Sequence, residues 1–316
     1  SAALSVTIDT TAPSAPTVLD LATTSDSGLS NTDDITNVTK PVLSGRGEVG
    51  ATVTLYDGGD ILGTTLVSSK GTWSYTVTTA LTDGAHELTA KQTDKAGNVS
   101  EASNALTVTI DTQSPEAPAA PDLATASDAG NSSEDNITNV KKPEFTGSGL
   151  TTGYKVQLFN DKNGNGTIDQ GELLDSTRVD GEGNWSVTPT SALSDGTYQL
   201  KANVTDLAGN VSVVSNALSI TIDTTKPTIS SATINGSELV LTYNEDLDAF
   251  NTPDPTSFVV KIAGVTVEIE QAIVDGKTVI LTLNSGAVYG NTVTISYTDP
   301  SSGDDVAAIQ DLAGND

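Results

Sequence analysis

The chain has 316 residues, 41 acidic and 14 basic, and a formal charge of −27 at pH 7, which repels phosphate backbones and anionic lipid headgroups and argues against nucleic acid and membrane surfaces as partners. It contains no Cys and no Met, so disulfides and thiolate metal sites are excluded, and with a single His the Ser-His and Cys-His nucleophiles of hydrolases are almost closed off. Abundant carboxylate favours hard cations, which are held by oxygen.

In chain order the first element is a proline-bearing linker, VTIDTTAPSAP at 6–16, where proline stiffens the connection toward extended geometry. An acidic stretch follows, DLATTSDSGLSNTDDITNVTKP at 20–41. Thr52-Val53-Thr54-Leu55, Trp73-Ser74-Tyr75-Thr76-Val77 and Leu106-Thr107-Val108-Thr109-Ile110 then read as strands: they are β-branched or alternating, with Gly, Asn and Asp turns between them. The last two hallmarks of this unit are DGAHELTA and TDKAGNVSEASNALTVTID.

The same order then returns. The linker recurs as VTIDTQSPEAP at 108–118, the acidic stretch as DLATASDAGNSSEDNITNVKKP at 122–143, and the closing motif as TDLAGNVSVVSNALSITID. Pro41 returns as Pro143, an offset of 102 residues, whereas Trp73 returns as Trp185, an offset of 112. The extra length falls where the first copy has the turn Asp57-Gly58-Gly59-Asp60 and the second has DKNGNGTIDQGE at 161–172. That stretch fits the EF-hand calcium loop at each defined position. The motif assigns side-chain oxygens of Asp161, Asn163 and Asn165, the carbonyl of Thr167, Asp169 through water, and bidentate Glu172, with Gly166 making the turn. The flanking residues lack a helical period, so the loop is expected to decorate a hairpin between two strands. With so few charged ligands its dissociation constant is expected on the order of 10⁻⁴ to 10⁻³ M.

A third linker, ITIDTTKPTIS at 220–230, opens a unit of different interior. SELVLTYNEDLD, TSFVVKIAG, GKTVILTLN and NTVTISYTDP read as strands and turns, and IQDLAGN repeats the earlier exit motif. The expected division is 1–112, 113–224 and 225–316, all β-sandwiches in tandem, the third without its last strand. Because the chain opens without Met or a signal-like run, it reads as a segment of a longer protein. No stretch approaches 18 apolar residues, so no helical span is expected.

One acidic constellation recurs at each junction. It comprises the Asp of TIDT (Asp9, Asp111, Asp223), the acidic loop (Asp26 and Asp33, then Asp128 and Asp135), and the Asp of D-x-A-G-N (Asp94, Asp206, Asp311). Because end loops cluster at the poles of a sandwich, a linker Asp can meet its neighbour's acidic loops and share a cation. Asx turns and caps use the same residue types and are the competing reading. His86 is replaced by Tyr198 in the second copy, and Trp73 and Trp185 follow Gly-x turns; all four read as structural.

The motif order TIDTTAP, SDSGxSxxDxIT, TKPxxSG, GTWSYTV, DGxHxLTA and TDxAGNVSxxSNAL over residues 5–224 resembles the bacterial Ig-like repeats of giant adhesins of the RTX and Bap kind. LVLTYNEDLD, FVVKIAG, VILTLNSG, VTISYTDP and IQDLAGN resemble the SWM repeat. The resemblance implies an extracellular, non-enzymatic spacer of a bacterial surface adhesin, secreted, monomeric, serving cell adhesion and biofilm, and stiffened by Ca2+ at its linkers. The runner-up makes the third unit a sugar- or peptide-binding module, with Tyr243, Tyr289 and Tyr297 as exposed candidates. A third reading makes the segment an accessory part of a secreted hydrolase.

Overall fold

The computed structural model describes residues 4–130, 132–300 and 307–316. Among them the regular structure is β throughout, apart from one 3-10 turn at Pro255–Ser257. The strands of the first domain are β1 (Thr17–Leu21), β2 (Ile35–Thr36), β3 (Val42–Arg46), β4 (Thr52–Asp57), β5 (Asp60–Leu66), β6 (Thr72–Thr76), β7 (Gly84–Thr93) and β8 (Leu106–Ile110). They form a three-stranded sheet in the order β1-β3-β6 and a five-stranded sheet in the order β2-β8-β7-β4-β5. Alternation decides which face turns inward: Val53 and Leu55 of β4, Leu43 of β3, Leu88 of β7 and Val108 of β8 are fully covered and share one core with Trp73. Each such side chain contributes roughly 1.5–3 kcal/mol when buried.

The second domain repeats this plan with β9 (Asp122–Leu123), β10 (Ile137–Thr138), β11 (Phe145–Gly147), β12 (Lys155–Asn160), β13 (Leu173–Arg178), β14 (Trp185–Val187), β15 (Gly196–Thr205) and β16 (Leu218–Ile222). Its sheets run β14-β11-β9 and β10-β16-β15-β12-β13. Trp185 takes the core slot of Trp73. The twelve-residue loop joins β12 to β13, which pair antiparallel, as the first domain's Asp57-Gly58-Gly59-Asp60 turn joins β4 to β5.

The third domain has its own topology. Its strands are β17 (Ile229–Asn235), β18 (Glu238–Tyr243), β19 (Phe258–Ile262), β20 (Val265–Val267), β21 (Ile269–Asp275), β22 (Thr278–Leu283) and β23 (Val293–Tyr297), in sheets ordered β17-β18-β22-β21 and β20-β19-β23. Of the three tyrosines expected at the surface, one is buried and one half-buried. Tyr243 is 5% exposed and lies in the core with Leu241 and Phe258, because its place on β18 alternates with Leu239 and Leu241 on the inner face. Tyr297 packs against that core with its ring 5.0 Å from Phe258, whereas Tyr289 is fully exposed.

One register sets the poles. β2 runs parallel to β8, with Thr36 beside Ile110, and the amide of Asp111 donates to the carbonyl of Thr36 at 2.9 Å. The acidic loop and the departing linker therefore share one pole. β7 runs antiparallel to β8, so the D-x-A-G-N turn that follows β7 lies at the opposite pole, facing the preceding domain.

Candidate metal centres at the junctions and in the second hairpin

Each D-x-A-G-N turn is folded by its own aspartate. Asp94 Oδ1 accepts from the amides of Ala96 at 2.8 Å and Asn98 at 2.9 Å. Asp206 Oδ1 accepts from Gly209 at 2.8 Å and Asn210 at 2.9 Å, and Asp311 Oδ1 from Asn315 at 2.9 Å. The amide side chain of the closing Asn then bonds the linker backbone: Asn98 Nδ2 donates to the carbonyl of Asp9 at 3.2 Å, Asn210 Nδ2 to Asp111 at 2.9 Å, and Asn315 Nδ2 to Asp223 at 3.0 Å. The linker aspartates each make an Asx turn, accepting from Thr11, Gln113 and Thr225. That turn engages one carboxylate oxygen and leaves the other for a further partner.

The acidic loop of one domain rests on this turn of the next. Gly28 has φ +97°, and a Cβ there would stand 2.0 Å from the carbonyl oxygen of Leu207; Gly130 has φ +92°, with 2.3 Å to that of Leu312. Only glycine allows this backbone-on-backbone approach. At the first junction Ser27 Oγ donates to the carbonyl of Ala208 at 2.8 Å, the Leu29 amide to Leu207 at 3.3 Å, and Asn37 Nδ2 to Asn210 Oδ1 at 3.3 Å. At the second, Asn139 Nδ2 donates to the carbonyl of Gly314 at 3.3 Å.

Two sets of carboxylates stand at a junction. Asp26 is 5% exposed; burial raises its pKa, and the charges that add to this are Asp33 and Asp20 of its own domain. Asp128 is raised in the same way by burial, then by Asp135 and Asp122. The linker and turn aspartates make the other group. At the second junction Asp223, Glu245 and Asp311 offer oxygens within 4.8 Å of one another. Burial raises the pKa of both Glu245 and Asp311, and neighbouring carboxylates raise it further. At the first junction the corresponding neighbourhood holds Tyr154, whose hydroxyl is pushed up by burial and then by Asp206 and Asp111.

Glu245, Asp20, Asp122 and Asp34, whose pKa is raised by burial and then by Asp26, are site residues that sequence reading passed over. Asp20 and Asp122 open the repeated DLAT landmark, which was the available signal. Glu245 sits in a unit with no internal copy to compare against.

In the hairpin, Asp161 Oδ2 accepts from Lys201 Nζ at 2.8 Å and from the Gly166 amide at 3.1 Å, and Lys201 foremost holds this carboxyl below its ordinary range. Asp169 Oδ2 accepts from the side-chain amides of Asn163 at 2.7 Å and Asn165 at 2.9 Å. Asn165 Oδ1 accepts from Thr167. Glu172 reaches back from the end of the loop to the amides of Lys162 at 3.1 Å and Asp169 at 3.0 Å. Apart from Lys201, the donors that close the ring belong to the loop itself.

Among the described residues, Asp26 Oδ1, Asp128 Oδ1, Asp161 Oδ1 and Glu245 Oε1 are carboxylate oxygens buried with no hydrogen-bond donor. A buried anionic oxygen needs a proton or a cation, and all four belong to the groups just described. Their donor set is hard oxygen, which fits Ca2+ or Mg2+ and not a thiolate- or imidazole-seeking metal. His86 lies apart, its Nδ1 2.6 Å from Asp57 Oδ2 and its Nε2 2.8 Å from the carbonyl of Thr82. Burial opposes a charge on the ring, but the bonds to these two acceptors outweigh it and raise its pKa.

The model of the bacterial Ig-like domain matches residues 11–112 and again 114–224, and that of the SWM repeat, a flagellar system-associated repeat, matches 222–302. Exoglucanase B of Cellulomonas fimi is 30% identical over 253 residues, which are 77% of this chain and 20% of that protein. Chitinase A1 of Niallia circulans is 31% identical over 252 residues, 75% of this chain and 30% of that protein. The chain therefore spans less than a third of either curated relative. Among solved structures, a Ca2+-stabilized adhesin that helps an Antarctic bacterium reach out and bind ice is 21% identical, covering 90% of this chain and 74% of that one, with a TM-score of 0.38.

Proposed function

The chain belongs to the bacterial Ig-like domain family, and on that premise we propose that it is a calcium-stiffened spacer of a bacterial surface adhesin, extracellular and without catalytic activity of its own. The observation that carries this reading is the repetition of one joint. An Asn of the D-x-A-G-N turn bonds the linker carbonyl at Asp9, Asp111 and Asp223 alike, and carboxylates gather beside it. Bound calcium supplies a positive charge that draws carboxylates together and holds them at fixed angles. Asp111 with Asp206, and Asp223 with Asp311 and Glu245, are the groups that would hold an ion between domains, and Asp9 with Asp94 repeat the arrangement at the first linker. Asp26 with Asp33, and Asp128 with Asp135, would hold one inside the loop that touches the neighbour. Asp161, Asn163, Asn165, Thr167, Asp169 and Glu172 would hold one in the hairpin. Adhesion and biofilm formation are the roles such a spacer serves, by carrying a binding head away from the cell. Small-angle scattering in millimolar calcium and again in excess chelator tests the reading. A maximum dimension that shrinks or a profile that broadens in chelator is expected, and superimposable profiles would overturn it.

A second reading has its own observation, since both curated relatives carry the names of glycan-degrading enzymes. In it the segment is an accessory module of a secreted hydrolase. Retention of the chain on insoluble cellulose or chitin would favour that assignment, and free passage would favour the spacer. A glycan or peptide site in the third domain now rests on Tyr289, since Tyr243 belongs to the core.

A further inference from the structure

The hairpin loop of the second domain has a charged neighbour with no counterpart in the first. Lys201 stands on β15 opposite Phe159 of β12, and its Nζ reaches Asp161 Oδ2 at 2.8 Å, with the Asp161 side chain fully covered and that of Lys201 21% exposed. The same Oδ2 takes the Gly166 amide, so two donors fix the carboxylate and leave Oδ1 as its remaining acceptor. That Oδ1 is buried and has no donor, in a residue 4% exposed.

Aligning the two copies, GAHELTAKQTDKAGN at 84–98 with GTYQLKANVTDLAGN at 196–210, places Lys201 opposite Thr89. The copy with the loop has the lysine, and the copy with the short turn has neither. The other loop carboxylates are compensated by neutral donors: Asp169 by two side-chain amides, and Glu172 by two backbone amides. Asp161 alone among them meets a full positive charge.

Resting on the reading of residues 161–172 as a divalent-cation loop, we propose that Lys201 is the tethered counter-ion of that loop. It neutralises Asp161 when no ion is bound, holds the carboxylate with Oδ1 free to ligate, and weakens divalent binding by standing as a cation beside the ion. Two opposed effects follow. Without metal, removing the ammonium leaves a covered carboxylate uncompensated, which destabilises the loop. With metal, removing it relieves a repulsion that solvent screens only in part, because the side chain is mostly covered. Both effects widen the gap between the metal-free and metal-bound states, so affinity rises; partial screening sets the expected gain at about tenfold.

Calorimetric titration of the whole chain with Ca2+ alone as the probe tests this, with the loop's own heat defined as the difference between wild type and Glu172→Gln. Lys201→Met and Lys201→Gln are each expected to tighten the loop site about tenfold, whereas Lys201→Arg keeps the wild-type value. The melting temperature of Lys201→Met should fall in chelator, and its rise on adding calcium should exceed that of wild type, a reversal that lost packing alone does not produce. A loop site present in wild type but unchanged or weakened in both neutral variants overturns the role of Lys201 and leaves the calcium reading intact. Identical titrations of wild type and Glu172→Gln overturn both.

Discussion

The two interdomain joints share a scaffold and differ in what fills it. At the first, Ser27, Leu29 and Asn37 hydrogen-bond across to residues 207–210, and the carboxylates Asp111 and Asp206 have a tyrosine, Tyr154, as their neighbour. At the second, Ala129 replaces Ser27, so the hydroxyl bond is gone, and Glu245 adds a third carboxylate to Asp223 and Asp311. The glycine contact and the Asn-to-linker bond are common to both. What recurs is therefore what docking itself requires, and what varies is the balance between neutral hydrogen bonds and negative charge. On the proposed reading both joints take an ion, and the second, with three carboxylates and fewer neutral bonds across it, gains more from one.

The strongest way to break the comparison is to attack the shared contact. Gly28→Ala and Gly130→Ala each place a methyl group against a backbone carbonyl at a positive φ, which neither domain can relieve without moving apart; each should cost its joint roughly 2 kcal/mol or more. Interdomain residual dipolar couplings should show the two flanking domains reorienting independently, while the melting of each domain stays near wild type. If either variant kept its joint fixed, the glycine contact would not be the common element.

A smaller change sharpens the difference. Glu245→Gln removes one charge from the second joint alone. In chelator it should steady that joint by relieving repulsion, and in calcium it should weaken ion binding there by about tenfold, roughly 1.4 kcal/mol. Spin-label distances across the joint, read in both conditions, report the sign reversal; a change of the same sign in both would make Glu245 a packing residue only.

The mildest test is pH. Glu245 and Asp311 have folded pKa values raised above their ordinary ones, so in chelator the folded joint takes up protons before the separated domains do. Its stability should thus rise as pH falls from neutral through the raised values, and the gain should be complete below the ordinary values of 4.5 and 3.8. Calcium should flatten this dependence by competing with the protons. The first joint, where Tyr154 stays neutral throughout that range, should respond less; an equal response at both joints would erase the distinction.

Much of the fold was legible because it is written twice. The strands around Leu55, Trp73 and Val108 alternate, and their copies return in order, so pattern and repetition agree. The hairpin placement of residues 161–172 followed from an offset that grew between Leu55 and Trp73. Individual site members were harder. Tyr243 looked available in the sequence, but its position on the inner face of β18 was set by Leu239 and Leu241 beside it. Glu245 lies in the LVLTYNEDLD motif, but with no twin of the third unit in the chain nothing singled it out from the acids beside it.

The sequence by itself determined the β class, the tandem repetition, the hairpin insertion and the chemical class of the acidic groups, because these depend on local pattern, turn chemistry and composition. Only the tertiary structure decided which carboxylates share a space. Asp26 and Asp33 keep company with Asp20 of their own domain, while Asp223 and Asp311, 88 residues apart in number, come together with Glu245. That grouping arises from the parallel pairing of β2 with β8 and the backbone contact at Gly28 and Gly130, which fix the poles against one another. Distances of a few ångströms between remote residues follow from packing, and no local pattern encodes them.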